Sequence, residues 1–139
     1  MLTKAQIIKV VSHELRHAGY SIDHQLARSG YRGEIIATKE NGPTVTRLCI
    51  QAQGETRSIF GEGAKEGKNA FSLARAFFKA AEALARGKGV GIRAAIALPK
   101  TTLFLKLVEQ VKSRLQEQSV AILWVGEDCR VELESTWSL

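Results

Sequence analysis

The chain has 139 residues, of which 45% are hydrophobic and 24% charged. This length and composition predict one globular domain over residues 1–139 with a single sizeable core. Its 20 basic and 14 acidic residues give a formal net charge of +6, which favours a polyanionic partner. No apolar run approaches membrane-spanning length and no signal peptide precedes the first predicted helix, so we expect a cytoplasmic protein with no membrane partner.

The N-terminal part of the chain predicts an amphipathic helix over residues 3–18. Its apolar residues recur at helical spacing, Thr3 suits the N-cap, and Gly19 suits the end of the helix. The polar stretch that follows, residues 20–30, predicts irregular structure.

A β-hairpin is predicted next, between Tyr31 and Gly54. Asn41-Gly42-Pro43 separates two runs rich in β-branched residues; Asn and Gly tolerate positive φ, and Pro fixes its own φ. Because side chains alternate along a strand, the second strand places two sets of residues on opposite faces. These sets are Leu48, Ile50 and Ala52 on one face and Cys49, Gln51 and Gln53 on the other.

The second half of the chain alternates helices and strands. A loop rich in glycine and basic residues covers 54–68. The next helix is apolar nearly all round, which predicts packing against a sheet over most of its circumference. The third helix begins at Thr101 or Thr102 and is expected to direct Leu107, Val108, Val111 and Leu115 inward. The predicted elements are helices over 70–86 and 103–117 and strands over 91–98, 119–125 and near 130–134.

These elements follow the order α, β, β, a possible third β, α, β, α, β, β. Strands separated by helices in the second half predict an α/β domain with a mixed central sheet between layers of helix. The cysteines, Cys49 and Cys129, fall in predicted strands without a paired-cysteine motif. We expect buried thiols in a reducing compartment rather than a disulfide. Trp124 and Trp137 are expected to pack in the core and tail rather than to stack on bases.

The hairpin and the element order resemble the PD-(D/E)XK, or restriction-endonuclease-like, nuclease superfamily, which includes archaeal Holliday junction resolvases. Gly33-Glu34-Ile35-Ile36-Ala37 is similar to the family's Pro-Asp-hydrophobic element, and residues 48–54 are similar to its acid-x-Lys strand. The strand from Gly91 to Pro99 resembles a later strand that ends on Ala-x-Pro. The resemblance implies a single-domain three-layer α/β/α fold and DNA or RNA as the partner.

The sequence departs from the family pattern at two positions of the site. In active members two carboxylates hold Mg²⁺ or Mn²⁺, and a lysine orients or deprotonates the attacking water. Here Glu34 keeps the first acid, Gln51 replaces the second and Gln53 replaces the lysine. An amide oxygen can bind Mg²⁺ but adds no charge. The resemblance therefore implies Glu34 and Gln51 as metal ligands and a catalytic set of Glu34, Gln51 and Gln53 that is degenerate.

Each of these residues also has an ordinary structural interpretation. Glu34 could be a strand-end acid paired with Arg32 or Arg47, and the two glutamines could form a solvent-facing strand edge or dimer surface. Five basic residues, here called the basic rim, could contact phosphates or simply be solvated. The basic rim consists of Arg28, Arg32, Lys65, Lys68 and Lys100.

His13-Glu14-Leu15-Arg16-His17 is a literal His-Glu-x-x-His sequence on the first helix, the pattern by which zinc proteases bind their metal. His13 points nearly opposite the apolar face of that helix. Arg16 is charged, at a position where zinc proteases usually have an uncharged residue. We therefore expect two exposed histidines and no zinc site at His13 and His17.

Three functions remain open from the sequence. The favoured one is a non-catalytic or weakly catalytic nucleic-acid-binding domain of nuclease fold. The second is an active Mg²⁺- or Mn²⁺-dependent endonuclease with an unusual glutamine site. The third is a dimeric interaction module that uses the fold as a scaffold.

Overall fold

A computed structural model of the chain describes residues 1–23, 35–55, 73–81, 84 and 91–139. These residues form an α/β structure, which confirms the predicted fold class at that level. The elements, numbered here in chain order, are α1 (Lys4–His17), β1 (Ser21–Ile22), β2 (Ile35–Asn41), β3 (Thr44–Ala52), α2 (helical over 73–81), β4 (Ile92–Pro99), α3 (Thr102–Glu117), β5 (Ala121–Val125) and β6 (Val131–Glu134).

The six strands form one open sheet in the order β1-β2-β3-β4-β5-β6. Pairs β3–β4 and β4–β5 are parallel, and the other neighbours are antiparallel, so the sheet is mixed as predicted. The stretch predicted to be irregular contributes β1, because Ser21 and Ile22 pair with Thr38 and Ala37. The extra strand of the first half thus precedes the hairpin.

The hairpin has the predicted turn and register. Gly42 has φ +63°, and Pro43 supplies a fixed negative φ, the φ pattern of a type II′ turn between antiparallel strands. Asn41 pairs with Thr44 across it, and the ladder continues to Ile35 opposite Ile50. The register is the one that the alternation of side chains requires.

Two apolar clusters cover the two faces of the sheet. On one face α1 packs through Ile7, Val11 and Leu15 against residues that include Leu48 and Ile50. On the other face α2 and α3 pack against the side chains of β4 and β5 that alternate with the first set. Helices on both faces of one sheet give a three-layer arrangement.

The helix caps explain where α1 and α3 begin. The Thr3 hydroxyl accepts a hydrogen bond from the Gln6 N–H, and the Gln6 side chain accepts from the Thr3 N–H, which is a capping box. Thr101, not Thr102, caps α3 by accepting from the Phe104 N–H at 3.2 Å. Both caps satisfy N–H groups that a helix cannot pair internally.

The prediction that α2 packs over most of its circumference is wrong for the residues described. Leu73, Ala76 and Ala80 are buried, but Ala74 is exposed and Phe78 is 68% exposed. The buried positions form a single stripe at helical spacing, because a helix on the outside of a sheet meets it along one side only. Val111 of α3, predicted to face inward, is likewise exposed at 36%.

Both tryptophans pack as predicted. Trp124 is buried, and its indole N–H donates to Glu134 at 2.9 Å. That bond is the largest cause of a lowered pKa for Glu134, and Lys112 at 3.0 Å lowers it further. Trp137 packs against the α1 face of the sheet, with the Arg93 guanidinium 5.1 Å from its ring centre.

Among the described residues, no helix combines the length and the apolar character needed to cross a membrane.

Candidate functional site at the carboxyl edge of the sheet

Part of the predicted site lies outside the residues that the structure describes. Glu34 and four members of the basic rim, Arg28, Arg32, Lys65 and Lys68, are in this group. Glu34 directly precedes Ile35 in the chain and Gln51 directly follows Ile50, and Ile35 and Ile50 are paired in the β2–β3 ladder.

Gln51 lies in the interior of the sheet. It is only 2% exposed on β3, which is flanked by β2 and β4, and it pairs with Ile96. Since paired residues direct their side chains to the same face, Gln51 faces the α2–α3 side. Gln51 and Ser12 are the buried polar residues of the described chain. Gln51 is therefore not part of a solvent-facing strand edge.

Gln53 follows β3 and is partly exposed. Its backbone N–H donates to the carbonyl of Ala97 at 3.0 Å, which holds it beside β4. The two amides thus sit in different environments, one inside the sheet and one at its end. This end, where β3, β4 and β5 all finish, is called the carboxyl edge below.

The start of α1 is attached to the carboxyl edge. The Leu2 N–H donates to the Glu55 carboxylate at 2.8 Å, and the Glu55 N–H donates to the Leu2 carbonyl at 2.9 Å. Gly54 makes this approach possible, because a Cβ there would lie 2.2 Å from the Lys4 nitrogen and 2.6 Å from the Thr3 carbonyl carbon. A residue with any side chain would force α1 away from the strand.

Lys100 is the described member of the basic rim, and it is engaged at the same edge. Its ammonium group contacts both carboxylate oxygens of Glu132, at 2.8 and 2.9 Å. The backbone N–H of Lys100 donates to the Val125 carbonyl. A phosphate at Lys100 would have to compete with Glu132. The pair is exposed, so the competition costs little.

The described residues of the carboxyl edge are arranged for hydrogen bonding. No buried side-chain nitrogen or oxygen among them lacks a hydrogen-bond partner, which includes the Gln51 amide. Hard cations are usually held by carboxylates, whereas positions 51 and 53 supply amides, which add no charge. No group of three or more His, Cys, Asp or Glu residues within the described ranges is arranged to hold a metal. The described donor set therefore does not fit a divalent cation.

His13 and His17 are both exposed, as predicted, on the outer side of α1. Their ring centres lie 4.6 Å apart in an edge-to-face arrangement. The expectation that no zinc binds there stays a prediction.

The two cysteines are free thiols, but only Cys49 is buried. Cys129 is exposed and has φ +63°, in the turn before β6 rather than in a strand. Its N–H donates to the Gly126 carbonyl at 2.9 Å, which closes the turn. The strand predicted near 130–134 does not reach Cys129, because the turn that begins at Gly126 continues through this residue to Arg130.

The two thiols should differ strongly in reactivity. Burial is the main reason that the pKa of Cys49 is raised, and Cys49 reacts only when the sheet opens. An opening free energy of about 3 kcal/mol slows the reaction more than about 100-fold. We expect a maleimide to label one thiol of the folded protein and two thiols in denaturant. Mass spectrometry counts the labels. Cys129→Ser should remove the fast site, and two fast sites in the wild-type protein would contradict the structure.

Sequence reasoning also missed a group of basic residues on α1. Lys9, His13 and Arg16 line a concavity of about 430 Å³ together with Cys129. The signal was present in the spacing, since positions i, i+4 and i+7 share one side of a helix.

No protein-family model and no curated protein matches this chain.

Proposed function

We propose that this chain is a nucleic-acid-binding domain of restriction-endonuclease-like fold whose metal site is degenerate. Fold-level support comes from a mixed sheet between helices and from a β2–β3 hairpin followed by a parallel crossover to β4. A fold alone does not define a function, so the residues of the hairpin have to support the proposed one.

The observation that carries the proposal is the burial of Gln51 at 2% exposure in an interior strand. An uncharged polar side chain inside a sheet is uncommon and calls for an explanation. In the proposed fold this position belongs to the second metal-binding carboxylate. Glutamine has the shape of glutamate and can form hydrogen bonds, but it lacks the negative charge. A glutamine here therefore fills the place of the carboxylate without holding a cation.

The charge balance supports binding rather than cleavage. A chain with net charge +6 attracts phosphates, whereas an acidic pair without its cation would repel them. The neutral amide of Gln51, in place of the second acid, removes one charge of that pair. Arg28, Arg32, Lys65, Lys68 and Lys100 are the phosphate contacts of this proposal, and Glu34 is its remaining acid.

The test measures binding and cleavage in one experiment. The full chain is mixed with labelled linear duplex, single-stranded and four-way-junction DNA, and with the matching RNAs, in EDTA, Mg²⁺ or Mn²⁺. We expect retained complexes and no products. Because each phosphate contact contributes about 0.9 to the salt slope, three contacts predict roughly 40-fold weaker binding when salt rises from about 50 to about 200 mM.

The alternatives give different results in the same gels. Metal-dependent products that disappear in Glu34→Ala, but persist in the charge-matched control Glu40→Ala on the exposed end of β2, would make the protein an active endonuclease. Absence of both binding and cleavage, with a dimer in analytical ultracentrifugation, would favour the interaction module. Either result overturns the proposal.

A further inference from the structure

The concavity of about 430 Å³ introduced above lies between the outer side of α1 and the turn formed by residues 126–130. We call it the α1 concavity. Lys9, His13 and Arg16 line it from the helix, and the exposed thiol of Cys129 lines it from the turn.

Two of its cations are not neutralised. Within the described ranges no ion pair involves Lys9 or Arg16. The two acids that precede Cys129 in the turn are already paired, Glu127 with the Met1 amino group at 3.1 Å and Asp128 with the Arg130 side chain at 3.4 Å.

One acid, Glu14, also lines the α1 concavity and has no ion pair among the described residues. It lowers the net charge of the site without cancelling it, since Lys9 and Arg16 carry two positive charges. Its presence gives the site a residue whose neutralisation should strengthen anion binding.

The α1 concavity continues from the carboxyl edge. Leu2, which lines its near end, is hydrogen-bonded to Glu55 just beyond β3. Lys9 and Arg16 lie seven residues apart, about 10 Å along the helix axis. That separation lets Lys9 and Arg16 contact different phosphates of one strand.

We propose that the α1 concavity binds the phosphate backbone of one strand of a nucleic acid that extends from the carboxyl edge, with Lys9 and Arg16 as the phosphate contacts. The inference rests on the proposed function and adds to it a second contact surface, on the helix layer opposite α2 and α3. Lysine and arginine supply the charge for such contacts, and arginine adds paired N–H donors.

The first test removes the two cations. Each phosphate contact contributes about 8-fold to affinity at about 0.1 M salt, so Lys9→Ala/Arg16→Ala should bind roughly 60-fold more weakly and lower the salt slope by about 1.8. The matched control, Arg75→Ala/Arg114→Ala, makes the same charge change on α2 and α3 and should lose far less. All four side chains are exposed, so equal thermal midpoints are expected.

The second test changes charge at one native atom. Cys129 is the exposed thiol, and methanethiosulfonate reagents can add to it either a sulfonate or a trimethylammonium group of similar size. The sulfonate adduct should weaken nucleic-acid binding and the trimethylammonium adduct should strengthen it. Cys129→Ser treated with both reagents controls for other sites. Glu14→Gln should strengthen binding, as the cationic adduct does.

The outcomes separate this inference from the proposed function. If the wild-type chain binds no nucleic acid, the proposed function fails and the inference fails with it. The wild-type chain could instead bind while Lys9→Ala/Arg16→Ala loses no more affinity than its control, or while the two adducts change affinity in the same way. Either result excludes only the α1 concavity as a binding surface.

Discussion

Gln51→Glu is expected to destabilise the protein by between about 3 and about 4 kcal/mol at pH 7 in EDTA. The substitution preserves shape and adds a charge to a side chain that is 2% exposed in the interior of the sheet. Burial disfavours the ionised form of a carboxyl group, so its pKa in the folded state rises above the unfolded value of about 4.3.

The sign of the pH dependence follows from that shift. Below the unfolded pKa the new carboxyl group is protonated in both states, and the variant should be nearly as stable as the wild-type protein. As the pH rises above about 4.3, stability falls by about 1.4 kcal/mol per pH unit until the folded-state pKa is reached. Urea unfolding at a series of pH values measures this loss.

Divalent cations should reverse the loss in Gln51→Glu if the position corresponds to a former metal ligand. A cation that binds only the folded variant at ten times its Kd adds about 1.4 kcal/mol. We expect Mn²⁺ to raise the midpoint of Gln51→Glu and to leave the wild-type midpoint unchanged.

Gln53→Glu is the matched control, because it makes the same chemical change two residues later at a partly exposed position. It should cost less than about 1 kcal/mol. Equal effects at the two positions would contradict the burial of Gln51.

Gly54→Ala is expected to cost about 3 kcal/mol, the upper end of the range for overpacked sites. The added Cβ would meet the Lys4 nitrogen at 2.2 Å and the Thr3 carbonyl carbon at 2.6 Å. Both contacts are backbone, so no side chain can rotate away. The start of α1 must move from the carboxyl edge, which should also break the hydrogen bonds between Leu2 and Glu55.

Gly42→Ala provides the comparison for Gly54→Ala. Gly42 has nothing within 4 Å of an added Cβ, and only its φ of +63° opposes a side chain. That conformation costs roughly 1–2 kcal/mol for alanine. Thermal unfolding should therefore rank Gly54→Ala as the more destabilised variant, and a neutral Gly54→Ala would contradict the close approach of α1 to β3.

The most reliable sequence predictions were those that depended on local geometry. The Asn41-Gly42-Pro43 turn, the alternation of Leu48 and Ile50 against Cys49, and the Thr3 cap are confirmed because each depends on a few adjacent residues. The placement of Gln51 on the face opposite Ile50 followed from the same alternation. Its near-complete burial did not, since burial depends on the strands and helices around it.

The predictions that failed concerned which side chains are exposed. Phe78 belongs to an apolar helix, yet it is 68% exposed because α2 meets the sheet along one side. Cys129 has strand-like neighbours, yet the turn from Gly126 to Arg130 places it at the surface. The hydrophobic periodicity of the sequence around Phe78 and Cys129 predicts neither outcome.

By itself the sequence determined the α/β class, the hairpin and its register, because side-chain periodicity and turn chemistry act over a few residues. Only the tertiary structure decided that Gln51 is enclosed, that Gly54 lets α1 reach the carboxyl edge, and that Lys9 and Arg16 face a turn more than a hundred residues away in the chain. Contacts between segments so far apart depend on how whole elements pack, which no local pattern specifies.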